Sequence, residues 1–234
     1  MLDEGYVTDL SPGMVEVAVR NARGLGFEVE GRVADAESIP YDDDSFDLVV
    51  GHAVLHHIPD LDLAMREVLR VLKPGGRFVF AGEPTQKGDW VARRLSRATW
   101  AAARWATHLP PLRERWALPA AELEESSRAA ALEAVVDIHT FDPDRLAALC
   151  LRAGAADVRT VTEELTASWF GWPVRTFEAA VRPGMLGWRW ATFAYKGWLR
   201  LSWVDENVLS RVVPDELFYN VCVTGTKPRG TSAG

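Results

Sequence analysis

Cysteine is nearly absent: the 234 residues contain two, Cys150 and Cys222. They lie far apart in apolar contexts, without C-x-x-C or metal-ligand spacing. This excludes a disulfide framework or a cysteine-based zinc site, and the two read as buried thiols of a reducing compartment. No run approaches the roughly 18 uncharged apolar residues of a membrane span. The N-terminus also lacks the basic-then-apolar pattern of a secretory signal, so the expected location is cytoplasmic. Cationic excess is missing too. The net charge is −7, which argues against a protein that coats nucleic acid, and no nucleic-acid partner is expected. The histidines and acids show no convincing ligand spacing, so no metal is expected either. What is present, 48% apolar and 25% charged residues, is ordinary globular composition. The length suits one domain with a helical elaboration.

Charge is distributed in blocks. Residues 1–84 are net −9, 85–116 net +5, 117–168 net −6 and 169–204 net +4. All ten tryptophans fall in the two basic blocks. An acidic, tryptophan-free scaffold is thus separated from two cationic, aromatic insertions.

Gly5 to Asp9 is a short apolar strand ending in an acid. Ser11-Pro12-Gly13 then opens a helix with a serine N-cap and proline in the first turn. Met14, Val15, Ala18, Val19 and Ala22 recur at helical spacing until Gly24 and Gly26. Phe27 to Val33 reads as a strand. Phe46 to Val50 is a continuous apolar run of the kind buried on both faces of a parallel sheet. Leu61 to Leu72 is an amphipathic helix, Lys73 to Gly76 a tight turn, and Arg77 to Gly82 the next strand. Residues 85–139 read as mostly helical, a further helix runs from Phe141 to Gly154, and Val158–Thr166 and Leu217–Thr226 are expected as antiparallel edge strands. The alternation predicts a doubly wound α/β sheet.

In this order the segments resemble the class I S-adenosylmethionine-dependent methyltransferases, in particular the type 11 methyltransferase domain. The resemblance covers Gly5 to about Thr85, Phe141 to Thr166, and Leu217 to Pro228. It implies a Rossmann-like α/β fold and S-adenosylmethionine as cofactor. In the family the acid closing the second strand accepts both ribose hydroxyls, a role that falls to Asp9 followed by Leu10. A carboxylate suits it, being acceptor-only and able to take two hydroxyl donors. An Asp-Ala pair contacts the adenine, which here is Asp35-Ala36, with Glu37 beside it. Leu55-His56-His57 and Leu72-Lys73-Pro74-Gly75-Gly76 match further family elements. His52 closes its strand where α/β sheets gather ligands, so it is a candidate for both cofactor contact and catalysis. His57 is the second catalytic candidate, since a histidine serves as a base at neutral pH.

The family's glycine-rich loop and the strand before it have no counterpart ahead of Gly5. Gly24-Leu25-Gly26 ends a helix and does not follow a strand. The resemblance therefore predicts an N-terminally incomplete sheet, truncated relative to a longer methyltransferase, with an empty slot between the strands at Gly5–Asp9 and Phe46–Gly51.

The expected organisation is a cofactor-binding part at 1–84, a helical lid insertion at 85–140, a core helix and strand at 141–168, a Trp-rich helical insertion at 169–214, and a last core strand and tail at 215–234. Arg93, Arg97 and Arg104 form one basic stripe in the first insertion. Arg189, Lys196 and Arg200 form another in the second. The resemblance makes these segments a lid over a large apolar pocket. The expected reaction is methyl transfer to a small hydrophobic or lipid-like acceptor, with peripheral contact to a membrane. One rival is a non-enzymatic remnant that binds lipid or a protein partner. Another is a dinucleotide-dependent oxidoreductase, which also uses an acid at a strand end but would leave Asp35-Ala36 and Leu55-His56-His57 unexplained.

Overall fold

The computed structural model describes residues 5–106, 138–182 and 184–229. β1 (Tyr6–Asp9), α1 (Pro12–Gly24) and β2 (Glu30–Val33) form a βαβ unit in which the strands pair in parallel. Ser11 caps α1 through its hydroxyl, which accepts from Met14 N at 3.4 Å. β2 starts later than Phe27, because Leu25 to Phe27 are consumed in the turn that closes α1, with their amides bonded back to Asn21, Ala22 and Arg23.

β3 (Phe46–His52), α2 (Leu61–Val71) and β4 (Leu72–Pro84) form a second parallel unit. Asp60 caps α2, accepting from Leu63 N at 2.9 Å. The Lys73–Gly76 turn lies within β4 as a register shift against β3, with Gly75 at φ 84°, a left-handed conformation that glycine takes without steric cost. α3 (Gln86–Ala106) follows, and the expected helical stretch beyond it lies outside the described residues up to Ile138. α4 (Pro143–Arg152), β5 (Ala156–Glu163), α5 (Thr166–Ala180), α6 (Trp188–Asn207) and β6 (Asn220–Thr226) complete the chain. β6 runs antiparallel to both β4 and β5, giving the sheet order β3-β4-β6-β5.

α2 and α4 cover one face of this sheet. Met65, Val68, Leu69, Leu146 and Cys150 pack on Phe78, Phe80, Val221 and Val223. Each large side chain buried here contributes roughly 1.5–3 kcal/mol. Cys150 is buried as expected, and desolvation pushes its thiol up to about 12; Cys222 is only half-buried.

Two expectations need correction. β3 is not buried on both faces: Leu48 is 44% and Val50 65% exposed, whereas Val49 and Phe46 pack against the core. Leu48 and Val50 alternate with Val49 and so project to the face opposite α2 and α4. β1–β2 forms its own two-stranded sheet, not hydrogen-bonded to β3. The two sheets meet at their starts through edge-on contacts of Tyr6, Tyr41 and Phe46, with ring centroids 4.9–5.5 Å apart. The second correction concerns the late strands. The one expected to reach Thr166 stops at Glu163, and the one expected from Leu217 starts at Asn220, after a 3-10 turn over Asp215–Leu217.

Candidate active site

The register of β1 and β2 pairs Asp9 with Val33, which brings Asp9 and, two residues further on, Asp35 to the same ends of neighbouring strands. Each carboxylate is exposed and fixed by one oxygen to the backbone two residues ahead. Asp9 accepts from Ser11 N at 2.7 Å and Asp35 from Glu37 N at 2.9 Å. Neither has another protein partner among the described residues. Two rigidly held, acceptor-only groups at adjacent strand ends fit a ligand presenting vicinal hydroxyls and an amino-heterocycle. Leu10 beside them is 69% exposed, and Ala36 and Ile39 are half-buried against the core. Glu37 spends Oε1 on Asp60 N at 2.8 Å, tying this loop to the start of α2. Arg70 completes the tie by donating to the carbonyls of Tyr41 and Ile39, both at 2.8 Å, while pairing with Glu67.

The carboxyl ends of β3 and β4 open into a cavity of about 500 Å³. His52, the last residue of β3, lies with its imidazole against Gly82. A Cβ at Gly82 would sit 2.9 Å from His52 Nε2, and Gly82 has φ 74°, so glycine is required on both counts. Ala53 follows at φ 51°, a strained conformation that turns the chain into the 3-10 turn Leu55–His57. Glu83 organises that turn. Fully buried, it accepts from Val54 N at 2.9 Å, Leu55 N at 3.0 Å and His56 N at 3.2 Å, and pairs with His56 Nδ1 at 2.8 Å. Burial pushes the Glu83 carboxyl up, but the His56 bond and the backbone N–H groups outweigh it and hold the carboxyl below the usual range. The His56 ring in turn packs against that of His57, tilted by 48° with centroids 3.9 Å apart. His52 and His57 thus share one cavity.

Asp205 of α6 fixes the start of α5, which contributes Ala167, Ser168, Gly171, Trp172 and Arg175 to the lining. The Asp205 side chain is 1% exposed and caps the start of α5, accepting from Leu165 N, Thr166 N and Ala167 N at 2.9–3.0 Å and from Thr166 Oγ1 at 2.6 Å. The cap lies just past the end of β5 at Glu163, where Glu164 takes φ 64° beside the cavity. Burial, followed by repulsion from Glu163, raises the Glu164 carboxyl above the usual range, against the pull of Arg175 and a hydrogen bond from Trp198. Trp172 and Trp198 line the cavity, as do Arg93, Arg175, Thr140, Ser168 and Asn220. Tyr219 packs edge-on against Trp172 at 5.5 Å.

The cavity is therefore more polar than the large apolar pocket expected. Of the described tryptophans only Trp172 and Trp198 line it. Trp90, Trp105, Trp169, Trp188 and Trp203 are 42–77% exposed. Arg93 reaches the cavity and pairs with Asp89 at 2.6 Å, while Arg97 and Arg104 of the same stripe do not line it. Glu83, Glu164 and Asp205 escaped the reading of the sequence. A signal for Glu83 existed in Gly82-Glu83-Pro84 at a strand's carboxyl end, but the partners of the other two are fixed only by the tertiary fold.

Residues 3–80 match the family described as a methyltransferase domain. Methyltransferase GfsG of Streptomyces halstedii is 44% identical over 75 residues, covering 31% of this chain and 27% of that protein. Demethylmenaquinone methyltransferase of Clavibacter sepedonicus is 46% identical over 85 residues, covering 36% and 34%. The matches thus span about a third or less of these relatives. Among solved structures, phosphoethanolamine N-methyltransferase 2 of Haemonchus contortus, in complex with S-adenosyl-L-methionine, superposes with TM-score 0.51 at 16% identity over 95% of this chain and 43% of that one, a likeness of fold alone. Residues 3–80 are thus similar to a methyltransferase domain, and the chain shares the fold of such proteins. The exposed carboxylates of Asp9 and Asp35 fit the ribose hydroxyls and adenine of S-adenosylmethionine, the cofactor that this similarity implies.

Proposed function

We propose that this protein transfers a methyl group from S-adenosylmethionine to a small acceptor with an aromatic or other flat apolar body and a polar, proton-bearing end. The observation that carries the reading is the cavity at the carboxyl ends of β3 and β4. His52, His57, Trp172 and Trp198 all line it, and its volume suits one small molecule.

Asp9 would hold the ribose hydroxyls, and Asp35 with Ala36 the adenine. When bound, the cofactor supplies a methyl group already activated on a sulfonium. The protein's task is then contact and alignment of the acceptor atom. Trp172 and Trp198 offer faces for a flat acceptor, with Arg93 and Arg175 as cationic groups for an oxygen-rich edge. His52 and His57 are placed to take the acceptor's proton as its nucleophile forms. Gly82 and the Glu83–His56 pair fix those rings. Similarity to demethylmenaquinone methyltransferase supports an acceptor of phenol or quinol type, whose ring and hydroxyl suit Trp172, Trp198 and the two histidines.

The test is transfer of labelled methyl from S-adenosylmethionine to phenolic, carboxylic and amine acceptors. Labelling of a phenolic acceptor that falls at least tenfold in His52→Ala or His57→Ala, with unchanged cofactor binding, is expected. Cofactor binding with no transfer to any aromatic acceptor, or transfer indifferent to both histidines, would overturn it.

A further inference from the structure

The second basic, aromatic segment is only half used by the site. The inner side of α6 is anchored: Trp198 faces the cavity, Asp205 caps α5, and Trp190 packs on Phe177 and donates its indole N–H to Glu178 at 2.7 Å. The outer side is open. Trp188 is 77%, Tyr195 61%, Leu199 42% and Trp203 61% exposed. At 100° per residue these four fall within an arc of about 80° and extend over about 22 Å of helix. Arg189, Lys196 and Arg200 are all exposed and lie along one border of that stripe. None makes an ion pair among the described residues. Glu206, one turn past Trp203, is the acid at its end.

We propose that this face of α6 docks on an anionic lipid bilayer. Exposed tryptophan and tyrosine in a line, bordered by unpaired cations, match a membrane interface. There the indole and phenol rings enter the headgroup layer while Lys and Arg meet lipid phosphates. Charge argues for lipid over a generic partner. The chain is net −7 and would be repelled by an anionic surface in most orientations, so the net +4 block at 169–204 selects the orientation in which α6 faces it. No described helix is long and apolar enough to cross a membrane, so α6 lies along the surface. Docking would place the bilayer one helix diameter, about 10 Å, from the Trp198 wall of the cavity, where an acceptor dissolved in lipid would enter.

The test is co-sedimentation of the full chain, without cofactor or acceptor, with vesicles of phosphatidylcholine alone or mixed with phosphatidylglycerol. Binding to the mixed vesicles, a blue shift of tryptophan emission and weakening by salt are expected. Replacing Arg189, Lys196 and Arg200 together by Gln should weaken partitioning about a hundredfold, at about fivefold per cation. Trp188→Ser with Trp203→Ser should cost about tenfold per ring. Both variants should keep the parent melting temperature and cofactor affinity, which separates this inference from the methyltransferase reading. No binding to mixed vesicles, equal binding to neutral ones, or binding unchanged in both variants would overturn it. So would concentration-dependent self-association abolished by the tryptophan changes without any vesicle binding, which would assign the face to a second copy of the chain.

Discussion

Replacing Glu83 by glutamine alters one atom of the side chain and disrupts most of what it holds. The native carboxylate, 0% exposed, accepts from three backbone N–H groups and from His56 Nδ1. The amide keeps one acceptor oxygen and turns an NH₂ toward at least one of these donors. One charge-assisted bond is lost, and a buried N–H is left facing another donor, so Glu83→Gln should cost about 3 kcal/mol. For a chain of this size that lowers Tm by about 6–12 °C. The acid dependence should change as well. The Glu83 carboxyl lies below its ordinary 4.5 in the folded chain, so its contribution is fully present above that pH and is lost as pH falls below it. The variant should therefore lose less stability than the parent between neutral pH and pH 3. Calorimetric melts across pH measure both. A neutral-pH Tm within 1 °C of the parent (about 0.3 kcal/mol) would refute the assignment of Glu83 as organiser of the His56–His57 turn.

Asp205→Ala removes three backbone caps and the Thr166 bond, so it should lower stability by about 2–4 kcal/mol in thermal melts and loosen the Trp172–Trp198 wall, read as reduced near-ultraviolet circular dichroism. Gly82→Ala combines a positive φ with a Cβ 2.9 Å from His52 Nε2. It should displace that ring and lower kcat at least tenfold with little change in cofactor affinity. Hydrogen exchange should open β1–β2 well before β4 and β6, since an isolated two-stranded pair is marginal. Equal protection of Thr8 and Val223 would contradict the split sheet.

The scaffold was legible wherever local chemistry and pattern agree. Ser11-Pro12, Asp60 and Asp142 announce helix starts, and in each the side chain accepts from the first turn. The strands at Phe46 and Arg77 follow from apolar runs. Legibility ended where the outcome depended on distant partners. Phe46–Val50 has the pattern of a doubly buried strand, yet Leu48 and Val50 project to the face that α2 and α4 do not cover. Val158–Thr166 reads as one strand, yet it stops at Glu163, just before the helix start that the distant Asp205 caps. Asp9 and Asp35, the carboxylates proposed for the cofactor, were singled out by the resemblance. Glu83 and Glu164 are single acids at strand ends, and only burial distinguishes them from surface charges. The tryptophans marked the two insertions, but not which rings face the cavity and which face outward.

The central claim is that Asp9 and Asp35 hold S-adenosylmethionine at the ends of β1 and β2. Calorimetric titration of the chain with this cofactor, repeated on Asp9→Asn, tests it most directly. The account predicts a dissociation constant on the order of micromolar, weakened about 10- to 100-fold in the variant by loss of a charge-assisted bond. Binding of equal strength in both proteins, or no heat of binding in the parent, would contradict it.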